Sequence, residues 1–367
     1  MNYSNDKRTV MTLDAGGTNF VFSAIRGGEE VISPVQKPSN ANDLELCLKT
    51  IREGFEEVKN QLEGDPVAIS FAFPGPANYP LGIIGDLQNL PAFRGGVPLG
   101  PILEEQFKIP VYINNDGDLF AYGEALAGVL PELNKELEDA GSTKRYHNLI
   151  GITLGTGFGA GIVRNGELFM GDNSMAAEVW IFSNRNTPEM NAEEGVSTRA
   201  IQKVYQELAG EENNPGLMPK DIYEIATGQR DGDKDAAIAA FRRMGSCLGD
   251  TLANLLTLID GIVVIGGGIA GAGDLYMPAV MEELHGHFVN RNGDTMPRLV
   301  QRVFNLDNAE NKKSFLKNYS KSITISGTDK QVNYDPEPRL GIVSSKLGAS
   351  KAISLGAYAY ALNKLDK

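Results

Sequence analysis

The sequence predicts an α/β protein built twice on one plan, with chemistry placed at the ends of strands. Three observations predict it. Apolar runs of strand length alternate with helix-length runs from residue 9 onward. A strand, glycine turn, strand unit occurs twice, about 140 residues apart, as an internal duplication would produce. Finally, a short apolar strand, Ile109-Pro-Val-Tyr-Ile, breaks off in Asn114-Asn115-Asp116-Gly117-Asp118, which cannot continue a buried strand. Ligands of open α/β sheets bind just beyond the carboxyl ends of the strands. A carboxylate delivered there can take a proton from a bound hydroxyl. The same stretch also reads as a helix start, with Asp116 or Asp118 as the cap.

In chain order, residues 9–25 form the first strand, turn, strand unit around Asp14-Ala-Gly16-Gly17-Thr18. Adjacent glycines permit φ > 0 and carry no side chain, so successive N–H groups can face an anion, and Thr18 adds a hydroxyl. Asp14 is placed to bind Mg²⁺ through water beside phosphates; the other reading is a plain hairpin. Apolar residues at 44, 46, 48, 51, 55, 58 and 62 predict a helix over 43–62. Residues 66–73 read as a strand that stops at Pro74-Gly-Pro76, and 99–107 as a short helix. A helix follows over 120–130, and the polar run 131–146 reads as a loop excursion. The second unit covers 148–163 around Gly155-Thr156-Gly157, with a tight turn at Asn165-Gly166. A long helical pattern over 233–260 runs into the buried strand Ile262-Val-Val-Ile265. That strand ends in Gly266-Gly267-Gly268, either a close approach to something flat, such as an adenine-ribose edge, or a packing turn. Residues 291–338 read as a polar, irregular insertion with one strand near 322–326. The small residues of 347–362 predict a closely packed final helix.

With 367 residues, 42% hydrophobic and 22% charged, the chain has length for two domains and an ordinary globular composition. No apolar run reaches membrane-span length, and the first eight residues lack a signal segment. Cys47 and Cys247 sit in no metal or redox spacing, which points to a reducing cytoplasm. A net charge of −13 disfavours nucleic-acid partners. Nucleotides are still admitted, because backbone N–H groups and a metal ion can hold their phosphates.

Together these motifs resemble the ROK family of sugar kinases, within the actin, hexokinase and heat-shock chaperone superfamily. Asp14-Ala-Gly-Gly-Thr18 resembles its first phosphate motif, Leu154-Gly-Thr-Gly157 the second, and Gly266-Gly-Gly268 the adenosine motif. Pro74-Gly-Pro76, Asn89-Leu-Pro91, Asn115-Asp116 and Gly123-Glu124 match in order and approximate spacing. The resemblance implies two duplicated actin-like ATPase (ribonuclease H-like) domains flanking a cleft. It sets 1–118, joined by a helix at about 350–367, against 119–349. It implies ATP-dependent phosphorylation of a hexose or hexose derivative, with Mg²⁺ near Asp14 and the nucleotide across the two glycine turns. Asp116 would be the general base, Asn115 would hydrogen-bond the sugar, and the protein would be a homodimer.

The departures are informative. Where the family carries an ExGH sugar motif, this chain has Glu178-Val-Trp-Ile181, so glutamate stays and histidine is gone. Where the family carries a CxCGxxGCxE zinc site, residues 182–196 contain no cysteine or histidine, so zinc is not expected. Glu193 falls where the motif's sugar-binding glutamate would, and Glu178 and Glu193 keep hydroxyl acceptors for the sugar. Trp180, the one tryptophan, is expected in the core, with stacking on a pyranose the other reading. His147, His285 and His287 match no family site. The alternative function is a sugar-binding protein that has lost turnover. A transcriptional repressor of the family is disfavoured by the acidic charge and by the 13 residues before Asp14, too few for a helix-turn-helix.

Overall fold

The computed structural model describes residues 3–87, 90–210 and 216–367. The chain divides into two compact units. Met1–Gly128, Gly161–Ala176 and Leu347–Lys367 form the first; Val129–Ala160 and Ala177–Lys346 form the second.

The first unit begins with β1 (Thr9–Ala15) and β2 (Asn19–Arg26), an antiparallel pair around the Gly16-Gly17 turn. Next come β3 (Glu29–Glu30), β4 (Val35–Pro38), α1 (Leu44–Gln61), β5 (Ala68–Ala72), β6 (Ala77–Asn78) and β7 (Ile83–Ile84). The run ends in α2 (Leu99–Phe107), β8 (Val111–Asn114) and α3 (Asp116–Leu126). The sheet order is β3-β2-β1-β5-β8, with β4 on β2, and the last three strands run parallel. Asp43 caps α1 by accepting the Leu46 N–H, and Ile51, Phe55 and Val58 turn its apolar stripe onto the sheet. Leu46, counted in that stripe, is 44% exposed, and Cys47 takes the buried position instead. The core is aromatic: Phe22, Phe55 and Phe71 follow one another at ring-centroid separations of 5.2 and 5.7 Å. Asn89 of the Asn89-Leu-Pro91 motif lies outside the described residues.

The second unit opens with α4 (Val129–Asp139), where a loop is expected over 131–146. Val129, Leu130, Leu133 and Leu137 are buried along one side, and Pro131 sits in the first turn, where no backbone N–H is needed. Then come β9 (Asn148–Leu154), β10 (Phe158–Arg164) and β11 (Glu167–Leu168), of which the residues from Gly161 on are counted in the first unit, and then α5 (Glu193–Val196), α6 (Thr198–Ala209), α7 (Pro219–Ala226) and α8 (Lys234–Ile259). β12 (Ile262–Gly266), α9 (Gly273–Leu284), β13 (His287–Val289), β14 (Thr295–Pro297), β15 (Arg302–Asn305), α10 (Ala309–Leu316), β16 (Lys321–Thr324), β17 (Gln331–Tyr334) and β18 (Arg339–Ser344) follow. The second sheet runs β11-β10-β9-β12-β18-β15, with an antiparallel hairpin first and parallel strands after it. Its plan repeats that of the first sheet, as duplication predicts. Asn165 and Gly166 both take positive φ in the β10–β11 turn.

Residues 291–338 are not a plain insertion. They contribute β15 to the sheet, while β16 and β17 form an exposed hairpin close to the strand expected at 322–326. β18 opens on a buried Arg339, whose guanidinium pairs with Asp335 at 2.8 Å and donates to the Phe315 carbonyl at 2.8 Å.

The chain ends in α11 (Ala349–Leu365), which packs along α3 within the first unit. The crossing is backbone to backbone. A Cβ on Gly356 would lie 1.9 Å from the Leu119 carbonyl oxygen, and one on Gly123 would lie 2.0 Å from that of Ala352. Among the described residues, no helix is long and apolar enough to cross a membrane.

Candidate active site

β8 ends at Asn114, and the helix cap falls to Asn115, not to either aspartate. The Asn115 Oδ1 accepts the Gly117 N–H at 2.8 Å. This corrects the expectation that Asp116 or Asp118 caps α3. Asp116 is the first residue of the helix, and Asp118 is buried. Asp116 is thus carried by the strand end and the cap without being used by either.

Asp116 lines a cavity of about 70 Å³ with Asp14, Ala72, Ser350 and Ser354, so the structure brings two of the sequence-predicted acids together. A wider groove of about 390 Å³ shares Asp14, Ser350 and Ser354 with it. Asp116 is exposed at the cavity mouth, yet the protein packed around it displaces most of the bulk solvent. That desolvation, and next the negative charge of Asp14, push its carboxyl from the ordinary 3.8 up to about 6. A base titrating there is ionised at neutral pH and still basic enough to accept a proton.

The first glycine turn is fastened on its carbonyl side. The Ser39 hydroxyl donates to the Gly17 carbonyl at 2.6 Å, and the Ser39 N–H to the Thr18 carbonyl at 2.9 Å. Neither Gly16 nor Gly17 uses the positive φ that glycine permits. Gly16 is required by closeness instead, since a Cβ there would lie 2.7 Å from the Asn19 carbonyl oxygen; Gly17 faces open space.

In the second unit, Gly155, Thr156 and Gly157 join β9 to β10, and Glu193 lies against them. Its Oε2 accepts the Phe158 N–H at 3.0 Å, and its Oε1 accepts from Arg199 at 2.6 Å. The Thr198 N–H and hydroxyl both donate to the Gly155 carbonyl, at 2.9 and 3.0 Å. The Gly266–Gly268 turn reaches the same strand end. The Ile269 N–H donates to the Leu154 carbonyl, and Gly267, at φ +94°, leaves no room for a Cβ beside that oxygen. Packing therefore explains Gly267, while Gly268 faces open space.

Glu178 accepts a hydrogen bond from the Trp180 indole N–H. Trp180 is 39% exposed, which corrects its expected place in the core. Ala177, just before this pair, holds a left-handed φ of 62°, a conformation an alanine rarely adopts. Of the histidines, His285 is satisfied by the Val303 carbonyl at 2.9 Å. Sequence reading missed Ser39, Thr198 and Arg199. Spacing offered one signal for the last two: they begin the helix just after Glu193, where side chains can reach back to its first turn.

The sequence pattern of the ROK family matches residues 10–309. A solved glucokinase from Parabacteroides distasonis is 52% identical, covers 99% of each chain and superposes with a TM-score of 0.92. A glucokinase of Halalkalibacterium halodurans is 26% identical over 78% of this chain and 88% of its own. An N-acetyl-D-glucosamine kinase of Vibrio parahaemolyticus is 28% identical over 70% and 83% respectively. The fold and these relatives define a sugar kinase of the actin-like ATPase fold. The chain belongs to the ROK family.

Proposed function

We propose that this kinase moves the γ-phosphoryl group of ATP to a hexose hydroxyl, with Asp116 as general base. The observation that carries the reading is Asp116 itself: uncommitted to capping, beside Asp14, and titrating near 6. The carboxylate accepts the hydroxyl proton as the oxygen attacks phosphorus. The Asn115 amide, whose oxygen is engaged in the cap, keeps its N–H₂ to orient the sugar. Glu178 and Glu193 serve as further hydroxyl acceptors. The two glycine turns and Gly266–Gly268 take the nucleotide.

Mg²⁺ fits the donors present. It keeps several waters and takes one or two carboxylates with the substrate phosphates, and Asp14 offers a single exposed carboxylate for that role. When bound, the ion neutralises charge on the transferring group.

Glucose is the first sugar to test and N-acetylglucosamine the second, on the relatives' names. The reading carries a cytoplasmic setting and, by family resemblance, a homodimer, which light scattering on the purified protein would test. The deciding experiment is a sugar panel with Mg-ATP and detection of ADP. Sugar-dependent ADP release with glucose or N-acetylglucosamine is the expected result. Silence across the panel would favour a sugar-binding protein without turnover, the reading suggested by the missing ExGH histidine.

A further inference from the structure

We propose that Arg199 is a positioning residue for the nucleotide, acting through Glu193 to hold the Gly155–Gly157 turn in its phosphate-receiving shape. The inference rests on the kinase reading and deepens it.

The turn is tied at each step by α5 and the start of α6. Thr198 holds the Gly155 carbonyl twice, the Arg199 Nη1 reaches the Thr156 carbonyl at 3.5 Å, and Glu193 holds the Phe158 N–H. Arg199 closes the set by donating to Glu193 Oε1 at 2.6 Å and to Glu194 Oε1 at 2.7 and 2.9 Å. A planar guanidinium can serve two carboxylates and a carbonyl together; an ammonium cannot hold that fork. Those two acids hold its proton well above the usual arginine range, and Glu194 in turn titrates below an ordinary carboxyl because of Arg199.

Charge makes the arginine necessary. Glu193 lies so near the turn that a Cβ on Gly157 would be 2.9 Å from its Oε2. An uncompensated carboxylate there would repel an arriving phosphate. Arg199 cancels that charge and fixes the direction in which the carboxylate holds the Phe158 amide. Residues 182–196 supply no cysteine or histidine, so the brace is made of ion pairs. The Arg199 side chain is 47% exposed, so salt weakens the brace.

The test measures Mg-ADP binding to the full chain by titration calorimetry without sugar, alongside melting temperatures. Arg199→Met keeps the stem and removes the charge. It should weaken ADP binding about tenfold, as loss of a charge-assisted hydrogen bond does, with a melting temperature near that of the parent. Arg199→Lys should recover part of the loss. Because both residues act as one device, Arg199→Met/Glu193→Gln should bind no more weakly than Arg199→Met alone. Unchanged affinity in Arg199→Met overturns the proposal, and so do losses that multiply in the double variant, which would mean two independent actions. A parent protein that binds no ADP overturns the kinase reading along with it.

Discussion

Asp14 and Asp116 line one small cavity in the first unit, and the charge of Asp14 helps to keep a proton on Asp116. The proposed role of Asp116 as base predicts an acid limb. A base must be ionised to act, so kcat/KM should be level above about pH 6 and fall about tenfold per pH unit below it. A pH–rate profile for the preferred sugar checks this. A limb near pH 4 would mean that Asp116 is not the titrating base.

Replacing Asp116 separates chemistry from folding. Asp116→Asn should bind sugar and lose most turnover. Its effect on stability has a definite sign. A carboxyl raised from 3.8 to about 6 on folding binds its proton more tightly when folded, so its contribution is full below pH 4 and disappears as pH rises through 6. The variant should therefore melt higher than the parent at pH 7.5 and about equally at pH 4. Thermal melts at both values, with single-turnover assays, decide the matter; lower melting at pH 7.5 would contradict it.

Trp180 offers a direct view of the second unit. It is the single tryptophan, half-open and hydrogen-bonded to Glu178. If Glu178 accepts a sugar hydroxyl, sugar binding should change the tryptophan emission in a saturable way without nucleotide. Glu178→Gln should reduce sugar affinity by about tenfold, the loss typical of a hydrogen bond to a charged group. Emission that stays flat at saturating substrate would remove Glu178 from the sugar site.

The buried Arg339 is a stability element. Arg339→Met leaves Asp335 charged and 5% exposed and abandons the Phe315 carbonyl, so it should cost roughly 3–5 kcal/mol. Arg339→Met/Asp335→Leu, which removes both charges, should recover much of that. Urea denaturation of the single and double variants measures the difference.

How much of this was legible beforehand depended on how local the cause was. α1, α2 and α8 and the two hairpins announce themselves through caps, period and glycine turns. β15 has two buried apolar residues, and β18 opens on a buried arginine; both are strands because parallel neighbours accept them, which periodicity does not reveal. Pro131 disguised α4, although its place in the first turn is harmless. At the site, Asp14, Asp116 and the glycine turns were found from strand ends. Ser39 was not, because it acts on a backbone carbonyl 22 residues away that it meets only after folding; Arg199 was not, although the acids it holds lie just before it in the chain.

The bare crossing at Gly123 and Gly356 ties the start of the chain to a very late part of it. Asp116 opens the helix that rests on residues 349–365, so the proposed base sits on a helix whose packing partner is synthesised long after it. During translation the sheet and aromatic core of the first unit can form early, while the proposed phosphotransfer site waits for residues 349–365 to leave the ribosome. A nascent chain stalled before residue 349 would be folded in part and chemically silent.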